Sequence, residues 1–193
     1  MGIKTETLGF IHQSLFAIDH SLQFMGKYMV ELGDQKLNER VALSISGERV
    51  WAKDYFEAMG FHHYCIDLHG MNGSFAVDLS EPITDRFWRS HKFDVLTNLG
   101  TSEHVNDQRE CWTNIDMLVK KGGAFIHVVP ESGQLPNHSQ FYYTDQFFKC
   151  LATLNNYHIL FNTCLQTVGC RAVCMVKMGN GQFVWSATGL ELS

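Results

Sequence analysis

Short apolar runs alternate along this chain with segments whose apolar residues recur at helical spacing. The run FDVLTN is apolar on both sides of the predicted strand, which is typical of a central strand covered by helices on two faces. Strands are predicted at residues 27–32, 63–68, 74–79, 93–98, 124–129, 157–166 and 170–178. This alternation predicts an α/β fold with a mostly parallel sheet, closed by an antiparallel strand pair at one edge.

Helical segments separate these strands. A first amphipathic helix is predicted to end near Gly26, and a second runs from Glu48 to Met59 with Gly60 at the left-handed C-cap position. A third is predicted at residues 106–121, with the sequence KKGG at 120–123 as a cationic last turn and cap. Thr144 is predicted to cap the N-terminus of a fourth.

The composition fits one domain and disfavours several partners. We expect residues 1–193 to form a single domain, with an N-terminal helical segment at 1–26 and a core at 27–180. The formal net charge of −5 disfavours a nucleic-acid partner, and no apolar run approaches the roughly 18 residues that a membrane span needs. The six cysteines lack metal-ligand spacing, so we predict no metal site, free thiols and a cytoplasmic location.

Polar residues follow the predicted strands at their carboxyl ends, where open α/β sheets bind ligands. Asp67 ends the second strand, whereas the first is followed by a single glycine, Gly33, and then by the acids Asp34 and Glu39. These acids would repel the pyrophosphate of a dinucleotide, which also needs a glycine-rich turn. S-adenosylmethionine carries no phosphate, its cationic groups tolerate acids, and its ribose suits a carboxylate such as Asp67. The spacing therefore favours a methyl donor.

Three segments resemble the second half of class I S-adenosylmethionine-dependent methyltransferases, especially a small uncharacterised group of microbial and viral sequences. The segments are FDVLTNLGTSEHV, LVKKGGAFIHVVPESG and the stretch from NH to FYYTDQFFKCLATLNNYHI. The likeness covers roughly residues 27–180. It implies a three-layer Rossmann-like fold with strand order 3-2-1-4-5-7-6, and S-adenosylmethionine as the cofactor.

The same resemblance implies which residues contact the cofactor. The first cofactor-binding motif would comprise Glu31, Gly33, Asp34 and Gln35. The ribose would contact Asp67 and Leu68, and the adenine would contact Asp78 and Leu79. The methionine moiety would contact Asn98, Gly100 and Thr101. The single glycine of ELGDQ motivates an alternative, a methyltransferase-like binding or interaction module without turnover. A nicotinamide-dependent enzyme is a third possibility.

Two classes of methyl acceptor are disfavoured because the chain lacks the motifs that they require. Residues 98–101 read NLGT, without the Asn/Asp-Pro-Pro-aromatic clamp typical of base amino methylation, and no cysteine stands beside that strand for carbon methylation of pyrimidines. An oxygen or nitrogen of a small molecule remains, with a base to remove its proton. The catalytic candidates are His104, His138 and Glu103. Glu103 and His104 could instead cap a helix, and His138 could be an exposed turn residue.

Overall fold

A computed structural model describes residues 3–38 and 51–192. The strands are β1 (Tyr28–Leu32), β2 (His62–Asp67), β3 (Phe75–Ala76), β4 (Phe93–Leu99), β5 (Val119–Pro130), β6 (Phe141–Tyr143), β7 (Tyr157–Leu165), β8 (Cys170–Lys177) and β9 (Leu190–Leu192). The helices are α1 (Thr5–Ile18), α2 (Ala52–Ala58), α3 (Arg86–Ser90), α4 (Gln108–Leu118) and α5 (Asp145–Asn155), with a 3-10 turn at Ser102–His104.

Seven strands form one sheet in the order β3-β2-β1-β4-β5-β8-β7. The first five are parallel to one another, whereas β8 is antiparallel to both β5 and β7. The short strand β6 was not predicted and pairs with β9 in a separate two-stranded sheet. Without β6 in the numbering, the observed order is the predicted 3-2-1-4-5-7-6, so the predicted fold is confirmed.

Helices cover both faces of the sheet, which gives three layers. Successive residues of a strand point to opposite faces. Accordingly, Val30 and Leu32 of β1 pack in one apolar cluster with Trp112 of α4, and Met29 packs in the other with Leu15 of α1. These helices are amphipathic, and each buries its apolar face against the sheet.

The prediction for residues 120–123 was wrong. Helix α4 ends at Leu118, and KKGG belongs to β5, which begins at Val119. The long-range reason is visible at two positions: Lys120 pairs with Asp94 at 2.6 Å, and a Cβ on Gly123 would stand 2.9 Å from the carbonyl oxygen of Phe93. Contacts with β4 therefore override the local resemblance to a helix end.

Other element boundaries also differ from the prediction. The first helix ends at Ile18, before the predicted end near Gly26. The strand predicted at 74–79 is reduced to Phe75–Ala76. Helix α2 ends at Ala58, and Gly60 follows with a φ of +96°, the left-handed conformation predicted for it. The predicted start of this helix at Glu48 and the position of Glu39 lie outside the described residues. No helix in the described ranges is long and apolar enough to cross a membrane.

Candidate functional site

The carboxyl ends of β1, β2 and β4 lie side by side, because Leu32 is in register with both Ile66 and Asn98. A cavity of about 450 Å³ opens at this edge of the sheet and is called the strand-end cavity below; Gly33, Asp34, Gln35, Asp67, Asp78 and Gly100 are among its lining residues. Leu68, Leu79 and Thr101 line it as well. The structure thus brings together all the predicted cofactor residues except Glu31 and Asn98.

Gly33 makes the tight turn that leaves β1 and borders the strand-end cavity. Its φ is +78°, a value that side chains disfavour, and a Cβ here would come within 2.3 Å of Oγ1 of Thr101. That hydroxyl donates a hydrogen bond to the carbonyl oxygen of Leu32 at 2.7 Å. The lone glycine of the motif is therefore required by close packing of the β1 and β4 loops.

Three carboxylates line the strand-end cavity: those of Asp34, Asp67 and Asp78. Oδ1 of Asp67 accepts a hydrogen bond from the backbone N–H of His69 at 3.0 Å, and Oδ2 of Asp34 accepts one from Asn72 at 2.6 Å. Hydrogen bonds from the hydroxyl and the backbone N–H of Ser80 hold the pKa of Asp78 below its usual value. Such a lining attracts cationic and hydroxyl-bearing ligands and repels phosphates.

Asn98 does not line the strand-end cavity but shapes the loop that does. Its side chain is fully buried, and its Oδ1 accepts hydrogen bonds from the backbone N–H groups of Thr101 at 3.3 Å and Ser102 at 3.2 Å. Its Nδ2 donates to the hydroxyl of Ser102 at 2.8 Å. The residue expected to contact a cofactor instead holds the turn after β4 in place.

Glu31 also points away from the strand-end cavity. It lines a neighbouring cavity that shares Asp34, and its Oε2 lies 3.4 Å from Nε2 of the buried His63. Burial raises the pKa of Glu31 well above its usual value, with the charge of Asp34 as a smaller cause. Burial lowers the pKa of His63 to about 4. Burial therefore disfavours the charged form of both side chains.

We expect Glu31→Gln to make the protein more stable than the wild type as the pH rises. The carboxyl pKa is higher in the folded state, so its stabilising contribution is complete below about pH 4.5 and is lost as the pH rises through the folded value. Each unit of that shift corresponds to about 1.4 kcal/mol. The lowered pKa of His63 reduces the stability of the protein only as the pH falls from about 6.5 to 4. His63 therefore does not affect the pH dependence of stability above neutral pH.

The measurement is the free energy of unfolding of both proteins from about pH 6.5 to 9. The exposed Glu57→Gln on α2 is the matched control and should follow the wild type. Parallel curves for wild type and Glu31→Gln would show that Glu31 is ionised in the folded protein.

A second, smaller cavity of about 150 Å³ adjoins the first and is called the side cavity below. The N-terminal segment contributes Ile3, Lys4 and Thr7 to its wall, and the ends of β4 and β5 contribute apolar residues. Gln35, Gly100 and His104 line both cavities. A ligand in the side cavity therefore lies next to one in the strand-end cavity.

The three predicted catalytic residues meet in the side cavity and are called the acid–histidine cluster: Glu103, His104 and His138. Their ligating atoms all lie within 4.8 Å of one another. Glu103 is fully buried, and neither of its carboxylate oxygens has a hydrogen-bond partner among the described residues. Nε2 of His104 lies 3.8 Å from Oε1 of Glu103.

Burial shifts the pKa values of Glu103 and His104. It raises the pKa of Glu103 to about 7, and it lowers the pKa of His104, with His138 as a smaller cause in the same direction. The His104 side chain is 53% exposed, whereas that of Glu103 is 1% exposed. The cluster thus combines a buried acid with a histidine that solvent and ligands can reach.

His138 reaches the cluster from the loop between β5 and β6. Its backbone N–H donates to the hydroxyl of Tyr142 at 2.9 Å, and that hydroxyl donates to the carbonyl oxygen of Leu135 at 2.6 Å. Its ring centre lies 5.9 Å from that of His104. This loop is therefore folded back over the sheet edge by its own hydrogen bonds.

Sequence reasoning missed the buried network beneath the 3-10 turn. The hydroxyl of Tyr143 lies 3.0 Å from that of Ser102 and 2.8 Å from Oε1 of Gln108, and Nε2 of Gln108 donates to the carbonyl oxygen of Ser102 at 2.6 Å. His127 is fully buried in β5. A signal for the network was available, because a tyrosine and a glutamine at buried positions need partners.

Solved structures resemble this chain closely in fold and weakly in sequence. The 1,6-didemethyltoxoflavin-N1-methyltransferase of Burkholderia thailandensis, with S-adenosylhomocysteine bound, matches with a TM-score of 0.55 at 15% identity, over 88% of this chain and 79% of that one. An S-adenosylmethionine-dependent methyltransferase of Clostridium acetobutylicum matches with a TM-score of 0.58 at 10% identity, over 90% and 92% of the two chains.

The geranyl diphosphate C-methyltransferase of Streptomyces coelicolor, also with S-adenosylhomocysteine, has a TM-score of 0.56 at 10% identity, over 87% of this chain and 80% of that one. No protein-family model and no curated protein sequence matches the chain. The chain has the class I S-adenosylmethionine-dependent methyltransferase fold.

Proposed function

We propose that this protein is an S-adenosylmethionine-dependent methyltransferase that acts on an oxygen or nitrogen of a small molecule. The observation that carries the proposal is the junction of the two cavities at Gln35, Gly100 and His104. A methyl donor in the strand-end cavity would face an acceptor in the side cavity across this junction. Transfer needs such contact, since the reacting atoms must approach to about 3–3.5 Å.

The strand-end cavity fits this donor better than it fits a dinucleotide. Its volume of about 450 Å³ is in the usual range for a cofactor site. Asp34, Asp67 and Asp78 would repel a pyrophosphate but suit the cationic and hydroxyl groups of S-adenosylmethionine. Asp67 ends β2, and its carboxylate can accept hydrogen bonds from a ribose diol in addition to the one from the backbone N–H of His69.

The acid–histidine cluster would act on the acceptor. S-adenosylmethionine supplies an electrophilic methyl group; the acceptor's lone pair forms the new bond to carbon, and the carbon–sulfur electron pair stays on sulfur. A hydroxyl or ammonium acceptor must also lose a proton, which the cluster would take up. His104 is the cluster member at the junction, so we assign it the position nearest the reacting atoms.

The deciding experiment is thermal unfolding with added ligands. At a concentration about 100 times its dissociation constant, a ligand adds about 2.7 kcal/mol, which raises the Tm of a domain of this size by roughly 5–11 °C. We expect S-adenosylmethionine and S-adenosylhomocysteine to produce this shift and NAD to produce none.

The possible outcomes separate the candidate functions. A shift with NAD alone would make the protein a nicotinamide-dependent enzyme. A shift with neither adenosyl compound would reject the methyltransferase proposal and favour a binding or interaction module. If S-adenosylhomocysteine binds, a screen of small hydroxyl and amine compounds with detection of S-adenosylhomocysteine release identifies the acceptor.

A further inference from the structure

The buried carboxylate of Glu103 is the most unusual polar group among the described residues outside the strand-end cavity. Both of its oxygens are shielded from water and lack a hydrogen-bond partner, although an uncompensated buried charge is strongly unfavourable. Gly100 packs against it so closely that a Cβ at that position would lie 3.3 Å from Oε1. The fold therefore confines this carboxyl group at the wall of the side cavity without a hydrogen-bond partner among the described residues.

Two imidazoles complete a set of three ligand atoms around the same point. The ligand atoms of Glu103, His104 and His138 lie within 4.8 Å of one another, and Nε2 of His104 is 3.8 Å from the carboxylate. In a tetrahedral site with bonds of about 2.0–2.1 Å, neighbouring ligand atoms are about 3.3 Å apart. The cluster would have to contract by about 1.5 Å at most, by rotation of the exposed His104 and of His138, without movement of Glu103.

From this geometry we propose that Glu103, His104 and His138 bind a divalent first-row transition cation, Zn²⁺ foremost. Two neutral imidazoles and one carboxylate are ligands that this class of cation prefers, and three protein ligands leave a position open for water or substrate. The cation would supply the charge that the Glu103 carboxylate lacks.

An open position on such a cation would be reached from the side cavity, which all three ligand residues line. Apolar residues, among them Ile3, Leu99 and Val128, line the same cavity. A cation held there would bind the oxygen of a hydroxyl acceptor and lower its pKa. The acceptor's proton would then pass to water, and His104 and His138 would act by holding the cation instead of taking up that proton themselves. This role for the cation rests on the proposed function, whereas cation binding itself does not.

The test is titration of the metal-free protein with Zn²⁺ alone and with Co²⁺ alone, without any adenosyl compound. We expect one equivalent of each to bind, and Co²⁺ to give the visible absorption of a tetrahedral site that Zn²⁺ displaces. Loss of an outer hydrogen-bond partner of a metal ligand weakens binding by about 10- to 100-fold, so Glu103→Gln or His138→Ala should weaken it by at least about 100-fold.

His158→Ala is the matched control. His158 is an exposed histidine near the start of β7. Its partner Val176 pairs with Ala124 of β5, whereas Val128 and Pro130 of β5 line the side cavity, and His158 lines neither cavity. The His158→Ala variant should bind Co²⁺ as tightly as the wild type does. Weakened binding in this control would assign the cation to surface histidines and overturn the proposal.

Two other results would overturn the proposal: no one-equivalent binding by the wild type, or unchanged binding in folded Glu103→Gln and His138→Ala. The titration of the wild-type protein tests the proposal even if a variant fails to fold, because absence of one-equivalent binding there overturns it. Because the ligand-dependent unfolding experiment uses S-adenosylhomocysteine without a cation, failure of the metal site and failure of the methyltransferase proposal are separate results.

Discussion

Replacing His104 with alanine should lower turnover of an identified acceptor by roughly 10²- to 10⁴-fold, the usual contribution of a group that handles a proton in the transition state. The dissociation constant of S-adenosylhomocysteine should change much less, because His104 borders the strand-end cavity only at its junction with the side cavity. Measurement of kcat beside the cofactor Kd separates the two effects.

His138→Ala should show the same pattern, since its ring faces that of His104 across the side cavity. His158→Ala, far from both cavities, serves as the control and should keep full activity. Equal kcat values in wild type, His104→Ala and His138→Ala would mean that positioning alone drives the transfer. A large loss of cofactor affinity in His104→Ala would place the histidine in the donor site.

Replacing Asp67 with alanine should weaken S-adenosylhomocysteine binding by roughly 10- to 100-fold. A carboxylate that accepts hydrogen bonds from a ribose makes charge-assisted bonds worth about 1.5–3 kcal/mol. Asp67→Asn should lose less affinity because it keeps one acceptor oxygen. Isothermal titration of the three proteins gives the comparison.

Asp67 also has a structural hydrogen bond, from the backbone N–H of His69. Thermal unfolding must therefore show that each variant still melts cooperatively near the wild-type temperature. If folded Asp67→Ala binds S-adenosylhomocysteine as tightly as the wild type, Asp67 is a turn residue without a ligand role.

The fold was predictable from the sequence because its signals are local and repeated. FDVLTN is apolar on both faces, and it forms the central strand β4, flanked by β1 and β5. Thr144 caps α5 by accepting a hydrogen bond from the backbone N–H of Phe147, as its residue type indicates. KKGG could not be assigned correctly, because its pairing with β4 depends on contacts with residues almost 30 positions earlier.

The site was predictable in position but not in the orientation of each side chain. Any polar residue after β1, β2 or β4 reaches the same sheet edge, so the strand-end cavity follows from topology. Whether a residue near that edge faces the cavity depends on strand alternation and loop geometry, which turned Glu31 toward His63 and Asn98 toward Ser102. The meeting of Glu103 with His138 depends on a long loop that no local pattern specifies.

The pairing of β6 with β9 has a consequence for that loop. Phe141 pairs with Leu192, and the hydroxyl of Ser132 donates to the carboxylate of Glu191, so the last described strand ties down both ends of the segment that carries His138. Much of the conformational entropy that this histidine would otherwise lose on meeting a ligand is already lost when the chain folds. A distant strand at the end of the described chain thereby preorganises His138.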